Sequence, residues 1–409
     1  MQLAIFHPKF GTLGGAEVLA AAEARALREA GIDARIVTGE VDDERWGARL
    51  EGIPVDVFRQ RSLDRLVAWT KVGRLRLHAR RARPLLANAD VVIAHNYPCN
   101  AMLGALPLRA LRLWQVNEPP RTLHLEATIP VLAARARALG ANAPDHLTRV
   151  FALRLASWDS RTRNDRALAV RQHFEIDMTA RLDGLYAISA YARDMARRVH
   201  GRCSDVLVYP PLEDGPAPPA RRGIRRDGLQ LLVQSRLETV KNVETVMTGF
   251  AAYARSHAGA HCHVVGDGGD ARRLRTVGAA LASGRITFHG FLEAPALAAL
   301  RASCDVFALL PVDEPFGMVF TEAMAQGLLC IGPDHGGPAE ILEGGGTGWV
   351  VDAFSPDQVA DALARIAGLD DATADARRQA AADSVAARFS KAAMVSALRR
   401  VIREAGGPD

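Results

Sequence analysis

Short apolar runs alternate with amphipathic stretches along the first half of the chain. The run QLAIFHP predicts a buried strand, GGAEVLAAAEARALREAG predicts a helix that ends at Gly31, and DARIVTG predicts the next strand. Further strands are predicted at IPVDVF, DVVIAH, LRLWQV and DGLYAIS, and the helix AYARDMARRVHG follows the last of them. This alternation predicts a parallel sheet that is covered by helices on both faces.

The same alternation restarts after VLVYPPLEDGPAPPARRGIRRDG, a segment rich in Pro, Gly and Arg. It predicts strands at LQLLVQSR, HCHVVGDG, RITFHGFL, CDVFALL, LLCIGPD and GTGWVVD. Because prolines cannot continue a central strand or helix, the domain boundary is expected between Tyr209 and Gly228. We therefore expect an α/β chain of two doubly wound, Rossmann-like domains, at 1–208 and 209–387, with a final helix in 388–409 that packs back on the first.

Composition agrees with a folded chain of two domains. The 409 residues exceed the roughly 250 to 300 at which a single core stops growing, and 49% hydrophobic with 24% charged residues is ordinary globular composition. No apolar run approaches the roughly 20 residues of a membrane span, and no export signal opens the chain. The five scattered cysteines form no CxxC motif, so reduced thiols and a cytoplasmic location are expected.

The stretch EPFGMVFTEAM, residues 314–324, contains the clearest candidate chemistry. Glu314 lies in the loop that leaves a predicted strand, where ligands of open α/β sheets bind, and Glu322 lies in the helix that follows. Glu314 is suited to accept hydrogen bonds from hydroxyl groups and Glu322 from a ribose diol, while the backbone N–H groups of Gly317, Met318 and Val319 form a helix N-terminus suited to phosphate. The alternative, that Glu314 only complements the helix dipole, leaves Glu322 unexplained.

Three other loops follow predicted strands. Gly14 and Gly15 in FGTLGGAE let the backbone approach a phosphate or sugar, although the spacing is not GxGxxG and a tight turn is equally consistent with it. Arg236 and Lys241 would suit a diphosphate, the alternative being a solvated surface pair. Gly266 in VVGDGGD is a candidate only because it follows a predicted strand, and an ordinary turn is the simpler interpretation.

Taken together, these motifs resemble a known enzyme family. EPFGMVFTE matches the E-x7-E motif of the retaining, nucleotide-sugar-dependent glycosyltransferases of the GT-B fold, family 4 (group 1). The Gly-Gly loop, YAISAYARDMARRVHG, VYPPLE, SRLETVKN, VGDG, FHGF and HGGPAEIL follow in the family's order, so the resemblance covers nearly the whole chain. It implies two Rossmann-like domains that face a central cleft, the first for the acceptor and the second for the donor.

The resemblance implies a role for each matching residue in the second domain. Arg236 and Lys241 would neutralise the donor diphosphate, Glu322 would bind the ribose hydroxyls, and Glu314 with the backbone of Phe316, Gly317 and Met318 would hold the donor sugar. The loops near Gly266 and Phe291 would border the base. Gly15 of the first domain would contact the diphosphate or the acceptor. Such enzymes need no catalytic metal, and the sequence has neither a DxD triad nor HExxH.

One departure from the family concerns the catalytic base. WQVNEPPR has Asn117 where members often carry a histidine near the sugar, and Glu118 follows it. Asn cannot act as an acid or a base, although it can donate and accept hydrogen bonds. If the donor phosphate itself assists deprotonation, Asn117 only positions groups; if a side chain is required, Glu118 is the nearest candidate, ahead of His95 and His124.

A basic run between Arg59 and Arg83 has nine Arg and Lys residues and one acid, Asp64. One interpretation is a solvated helical face. The other is peripheral contact with anionic lipid, since Leu63, Leu66, Val67 and Trp69 interleave with the cations, and it implies a lipid-linked acceptor at the inner face of the plasma membrane. Nucleic acid is not expected, because no recognisable binding motif accompanies the charge.

The function expected from the resemblance is transfer of a sugar from a UDP- or GDP-sugar to a glycan or lipid-linked acceptor, with formation of an α-glycosidic bond. The likeness of NEPPR to mannosyltransferase-like members points to mannose as the sugar and GDP-mannose as the donor. Two alternatives stay open: a nucleotide-sugar isomerase of the 2-epimerase type with the same fold, and a non-catalytic nucleotide-sugar-binding protein. No cofactor is expected, because the nucleotide sugar is a co-substrate.

Overall fold

The computed structural model describes residues 1–11, 14–58, 70–212, 223–225, 228–343 and 346–408. The chain divides into two compact units: unit 1 comprises 1–130, 154–213 and 389–409, and unit 2 comprises 131–153 and 214–388. The final helix belongs to unit 1. Residues 131–153, which were assigned from the sequence to the first domain, belong instead to unit 2. Among their contacts there, the carboxylate of Asp313 accepts hydrogen bonds from the N–H groups of Val131 and Leu132, and the guanidinium of Arg135 lies over the ring of Phe354.

The elements up to residue 200 are, in chain order, β1 (Gln2–His7), α1 (Gly15–Glu29), β2 (Asp33–Thr38), α2 (Asp43–Trp46), β3 (Val55–Val57), α3 (Lys71–Leu86), β4 (Val91–His95), α4 (Cys99–Gly104), β5 (Leu111–Val116), α5 (Leu125–Thr128), α6 (Pro130–Leu139), α7 (His146–Asn164), α8 (Arg166–Ala180), β6 (Gly184–Ala187) and α9 (Ala190–His200). The six strands predicted here are confirmed. Helices α6, α7 and α8 were not predicted.

The elements after residue 228 are β7 (Gln230–Gln234), α10 (Val243–Ala254), β8 (His261–Val265), α11 (Ala271–Leu281), β9 (Ile286–Gly290), α12 (Ala294–Ser303), β10 (Val306–Ala308), α13 (Met318–Ala325), β11 (Leu329–Pro333), α14 (Gly336–Glu343), β12 (Gly348–Val351), α15 (Pro356–Ala367), α16 (Asp371–Arg388) and α17 (Lys391–Glu404). Short 3-10 turns occupy Ala48–Leu50, Gly140–Asn142 and Thr239–Lys241. The six strands predicted in this half are confirmed as well.

Each unit contains one parallel six-stranded sheet. The strand order is β3-β2-β1-β4-β5-β6 in unit 1 and β12-β11-β10-β7-β8-β9 in unit 2, and every pairing is parallel. If the strands of unit 2 are renumbered so that β7 is the first, its sheet read from the opposite edge has the order 3-2-1-4-5-6, which is the order of unit 1. The direction in which successive strands are added to the sheet reverses between β1 and β4 and between β7 and β10, so ligands are expected beyond the carboxyl ends of these pairs.

The core of unit 1 includes residues from the last helix. Leu398, Val401 and Ile402 of α17 belong to the same buried cluster as Ile5 of β1 and Leu27 of α1. Burial of one such aliphatic side chain contributes roughly 1.5 to 3 kcal/mol. The helix therefore stabilises a sheet whose first strand lies almost 400 residues earlier in the chain.

The predicted basic run 59–83 is only partly described, because 59–69 lie outside the described residues. Its second part forms α3, which Thr70 caps by accepting a hydrogen bond from the N–H of Gly73. In the part of the chain that the structure covers, no helix combines the length and the apolar character needed to cross a bilayer.

Candidate functional site

Glu314 and Lys241 form an ion pair at the carboxyl edge of the sheet of unit 2. Lys241 lies in the 3-10 turn that follows β7, and Glu314 lies in the loop that follows β10. The ammonium nitrogen of Lys241 is 2.6 Å from Oε2 of Glu314, and about one fifth of each side chain is exposed. Two residues that the sequence nominated separately thus lie side by side where the strand order reverses.

Glu322 is bound by a cation that the sequence analysis missed. Arg301 of α12 donates to Glu322, and its Nε and Nη2 donate to Oε1 of Gln234 at 2.9 and 2.6 Å. The Arg301 side chain is 7% exposed and that of Glu322 is 32% exposed. Glu322 is therefore a fixed, solvent-accessible acceptor, and no local pattern indicates Arg301, which lies 21 residues earlier on another helix.

The first turn of α13 follows a glycine in the left-handed region. Gly317 has φ 97°, and no side chain caps the helix. A Cβ at this position would approach the rings of Phe320 and Pro338 to about 3.0 and 3.1 Å. The N–H groups at the start of this helix, at Met318 and Val319, therefore retain the capacity to bind an anion.

The HGGP segment, residues 335–338, packs against the backbone of the loop that contains Glu314. The N–H of Gly337 donates to the carbonyl oxygen of Glu314 at 2.9 Å, and a Cβ on Gly337 would lie 2.3 Å from Cα of Phe316. Phe316 is buried. Only glycine allows this approach, so the position of the Glu314 backbone depends on Gly337.

Asp313 fixes the other side of the same loop. It is fully buried with φ 55°, its carboxylate accepts hydrogen bonds from Val131 N and Leu132 N at 3.1 and 2.9 Å, and its own N–H donates to Nε2 of His335 at 3.3 Å. No sequence pattern indicated Asp313. Its partners at 131 and 132 are more than 180 residues away in the chain, so sequence spacing could not have identified it.

Three further predicted donor-site residues lie in the loops after β7, β8 and β9. Gly266 has φ 121°, and a Cβ on it would lie 1.8 Å from the carbonyl oxygen of Ser235, so the two loops can approach only with glycine there. Arg236 is exposed. Phe291 is 61% exposed directly after β9, which is unusual for a ring of that size.

In unit 1, Gly14 and Gly15 begin α1, and the preceding Thr12 and Leu13 lie outside the described residues. Gly14 is the extended N-cap residue, and a Cβ on it would lie 2.4 Å from Oε2 of Glu17. A Cβ on Gly15 would meet nothing within 4 Å. Among the described residues, the space beside Gly15 is therefore open.

Asn117 and Glu118 follow β5 and bind different partners. Nδ2 of Asn117 donates to Oδ1 of Asn96 at 3.0 Å. The carboxylate of Glu118 forms an ion pair with Arg121, with an N–O distance of 2.7 Å. The side chain of Asn117 is thus held by Asn96, and Glu118 would have to leave Arg121 to take a proton.

The two histidines named as weaker base candidates belong to internal polar clusters of unit 1. His95 is fully buried, with Nε2 3.3 Å from Oε2 of Glu23, and His124 lies 2.9 Å from a carboxylate oxygen of the buried Glu175. Burial, which outweighs the attraction of Glu175, lowers the pKa of the neighbouring His200 to about 4. These contacts are typical of structural histidines. No set of three or more His, Cys, Asp or Glu in the described ranges is arranged to hold a metal ion.

Part of the chain is similar to a known family. Residues 218–383 match the family model described as Glycosyl transferases group 1. A GDP-mannose-dependent alpha-(1-6)-phosphatidylinositol monomannoside mannosyltransferase from Mycobacterium tuberculosis is 31% identical over 196 residues, which are 44% of this chain and 51% of that protein. A GDP-mannose-dependent alpha-mannosyltransferase from Mycolicibacterium smegmatis is 40% identical over 89 residues, 22% of each chain. The chain thus spans about half the length of the first relative and less of the second.

Solved structures agree on the fold. Anabaena HepE in complex with UDP and glucose matches 99% of this chain and 100% of its own with a TM-score of 0.69 and 16% identity. Sucrose-phosphate synthase from Thermosynechococcus elongatus matches 99% of each chain with a TM-score of 0.69 and 17% identity. The predicted α/β, GT-B fold is confirmed, and so is the resemblance to the group 1 family.

Proposed function

We propose, from the group 1 glycosyltransferase domain that this chain carries, that it transfers a sugar from a nucleoside-diphosphate donor to a glycan or lipid-linked acceptor and retains the anomeric configuration. One observation carries the proposal: two solvent-accessible carboxylates, Glu314 and Glu322, are each fixed by a cation at the carboxyl edge of one sheet. Fixed carboxylates bind sugar hydroxyls well, because each oxygen accepts charge-assisted hydrogen bonds. A donor that presents a ribose, a diphosphate and a hexose would fit this arrangement.

In this proposal, each part of the donor would meet a group of unit 2. Glu322 would bind the ribose hydroxyls, and Glu314 with the backbone of 316–318 would bind the sugar. Arg236, Lys241 and the N-terminus of α13 would bind the diphosphate. The exposed ring of Phe291 would lie against the base, next to the loop after β8 in which Gly266 closely approaches Ser235.

The proposed reaction breaks the bond between C1 of the sugar and the diphosphate oxygen, and the electron pair stays on the diphosphate. The acceptor hydroxyl oxygen bonds to C1 from the same face, and its proton passes to the departing phosphate oxygen. Arg236, Lys241 and the α13 N-terminus would stabilise the negative charge that develops on the leaving group. The proposal includes no metal ion, since these groups supply the positive charge.

Residues of unit 1 complete the proposal. Asn117, held by Asn96, would position a hydroxyl group, and Glu118 would take up a proton only after leaving Arg121. Gly14 and Gly15 would let the start of α1 approach the diphosphate or the acceptor.

The sugar and the acceptor are proposed from the relatives. Two of them are described as GDP-mannose-dependent mannosyltransferases, which supports mannose as the sugar and GDP as the nucleotide. The phosphatidylinositol monomannoside in the name of the first supports a lipid-linked acceptor. The basic helix α3 would then bring the protein to an anionic membrane surface from the cytoplasmic side.

Calorimetric titration tests the donor site directly. Wild type, Glu322→Gln and the control Asp361→Asn, an exposed carboxylate of α15, are titrated with GDP, UDP and ADP and then with their sugar conjugates. We expect a preference for one nucleotide that Glu322→Gln weakens about tenfold or more, as for loss of a hydrogen bond to a charged group, and that Asp361→Asn leaves unchanged. The absence of nucleotide binding would contradict the proposal. An NMR assignment of the product's anomeric configuration tests retention.

A further inference from the structure

A cavity of about 940 Å³ opens in unit 1 beside the carboxyl ends of β1 and β4. Pro8 and Lys9 line it directly after β1, and Tyr97, Pro98 and Cys99 line it directly after β4. The strand order of the sheet reverses between these two strands, which is where open α/β sheets bind ligands. The volume lies within the roughly 300 to 1,000 Å³ of small-molecule sites.

The charge that lines this cavity has one sign. Seven lining residues are lysine or arginine, namely Lys9, Lys71, Arg74, Arg121, Arg154, Arg161 and Arg171, and no lining residue of the described ranges is Asp or Glu. The chain as a whole has 51 basic and 46 acidic residues. A ratio of seven to none is therefore a local feature that overall composition does not explain.

These cations come from separate parts of the sequence. Lys71 and Arg74 belong to α3, Arg154 and Arg161 to α7, and Arg171 to α8. A single helical face would take its charges from one element, whereas these charges come from three helices and from the loops after β1 and β5, and they line one cavity. Arg121 is paired with Glu118, and an anion that binds among the seven cations would gain favourable electrostatic energy from all of them. Five of the seven are arginines, whose planar guanidinium pairs with phosphate through two parallel hydrogen bonds.

The same cavity also has an apolar side. Met102 and Trp158 are almost fully buried and line it together with Leu125 and the partly buried Tyr97. An inorganic anion alone would offer these side chains no apolar group to pack against. The occupant therefore combines an anionic group with a sugar face or an alkyl chain.

We propose that this cavity binds the acceptor substrate through a phosphate or diphosphate group that the acceptor carries. The inference rests on the proposed function, because the acceptor is the second substrate of that reaction. A water-soluble sugar phosphate and a lipid-linked sugar diphosphate both provide this chemistry. An acceptor without phosphate does not.

The binding test compares two double variants that remove the same charge from the same two helices. Arg161→Gln with Arg171→Gln removes cavity cations from α7 and α8, and Arg163→Gln with Arg166→Gln removes exposed cations of α7 and α8 outside the cavity. Both are made in an Arg236→Gln background, which weakens anion binding to unit 2. Inorganic pyrophosphate is titrated by calorimetry at fixed ionic strength. We expect the cavity variant to bind about tenfold or more weakly than the control, and equal affinities would overturn the inference.

The acceptor test uses the enzyme with Arg236 intact and its preferred nucleotide sugar. Transfer is measured to a sugar phosphate, to a polyprenyl-diphosphate sugar in detergent micelles, and to the same sugar without phosphate. We expect KM for the phosphorylated acceptor to rise about tenfold or more in the cavity variant, while the Kd of the nucleotide stays that of the control. Use of the unphosphorylated sugar with equal kcat/KM would overturn the inference. If wild type binds no donor, that result contradicts the proposed function. The pyrophosphate titration still shows, independently of it, whether the cavity binds an anion.

Discussion

The ammonium nitrogen of Lys241 lies 2.6 Å from Oε2 of Glu314, although 73 residues separate the two in the chain. The contact connects the loop after β7 to the loop after β10, whose strands are neighbours where the strand order of unit 2 reverses. An ammonium group has three N–H donors, so one bond to Glu314 leaves two for an anion. In the proposed function, Lys241 would thus bind the diphosphate while it holds the carboxylate that is proposed to bind the sugar.

Replacement of Lys241 by methionine tests this double role. We expect Lys241→Met to weaken nucleoside-diphosphate binding about tenfold or more, because a hydrogen bond to a charged group is lost, and to lower kcat as Glu314 loses its partner. The measurements are calorimetric titration and a donor-hydrolysis or transfer assay. Lys391→Met, which breaks the pair of Lys391 with Glu29 in unit 1, is the control. Equal losses in both variants would contradict the assignment.

Arg301 is predicted to position Glu322. We expect Arg301→Met to raise KM for the donor more than it lowers kcat, because Glu322 and Gln234 lose the guanidinium that orients them. The free energy of unfolding of unit 2 should fall by about 1 to 3 kcal/mol, since Arg301 is buried and its partners are left unpaired. In Arg301→Lys, KM for the donor should fall from the value of Arg301→Met only part of the way to that of wild type, because an ammonium lacks the planar geometry of a guanidinium. Full recovery with lysine would show that charge alone matters.

Gly266 is predicted to tolerate no side chain. In Gly266→Ala the new Cβ would lie 1.8 Å from the carbonyl oxygen of Ser235, so the β7 and β8 loops must separate and unit 2 should lose about 3 kcal/mol or more of unfolding free energy. Gly284→Ala is the matched control, because Gly284 also has positive φ, 74°, but has nothing within 4 Å of the new Cβ. Its cost should be about 1 to 2 kcal/mol. Calorimetric melting curves separate the two, and equal shifts would argue against the steric explanation.

The stability of unit 1 should depend on pH through His200. Burial lowers the pKa of His200 to about 4 in the folded protein, whereas a histidine in the unfolded chain has a pKa of about 6.5. Between these values the unfolded chain binds a proton that the folded protein does not, so the free energy of unfolding falls as the pH falls from 6.5 towards 4.

The variant His200→Gln removes this contribution. Urea unfolding at pH 7, 6 and 5 should show a shallower pH dependence than wild type, by at most about 1.4 kcal/mol per pH unit. The control is His173→Gln, an exposed residue of α8. An unchanged slope in His200→Gln would contradict the prediction.

The strands were predictable because parallel strands that are buried on both faces form continuous apolar runs. The run of β1 is buried at every residue after Gln2. Helices α7 and α8 were harder, because their sequence is rich in arginine and many of their side chains are exposed, so apolar periodicity is weak. The contacts of 131–153 with unit 2, such as those of Val131 and Leu132 with Asp313, join residues about 180 positions apart, and the sequence does not reveal contacts so distant.

The sequence indicated the two carboxylates and one of the two cations that pair with them, but not the pairs themselves. The E-x7-E spacing and the loop position of Glu314 indicated the two acids, and the strand end indicated Lys241. Nothing local indicated that Lys241 pairs with Glu314 or that Arg301 pairs with Glu322, because these contacts depend on which strands and helices become neighbours. The basic cavity of unit 1 was missed for the same reason: α3 alone was interpreted as a surface feature, and the arginines of α7 and α8 join it only in the folded chain.

The last helix, α17, has a consequence for the order in which the molecule forms on the ribosome. Its residues Leu398, Val401 and Ile402 complete the core that contains Ile5 and Leu27, yet they are translated after every residue of unit 2, which ends at 388. Domains generally fold as they emerge, beginning with the N-terminal one. Here the part of unit 1 that is translated first lacks α17 through most of translation. The apolar face that α17 covers is therefore buried only after all residues of unit 2 have been translated.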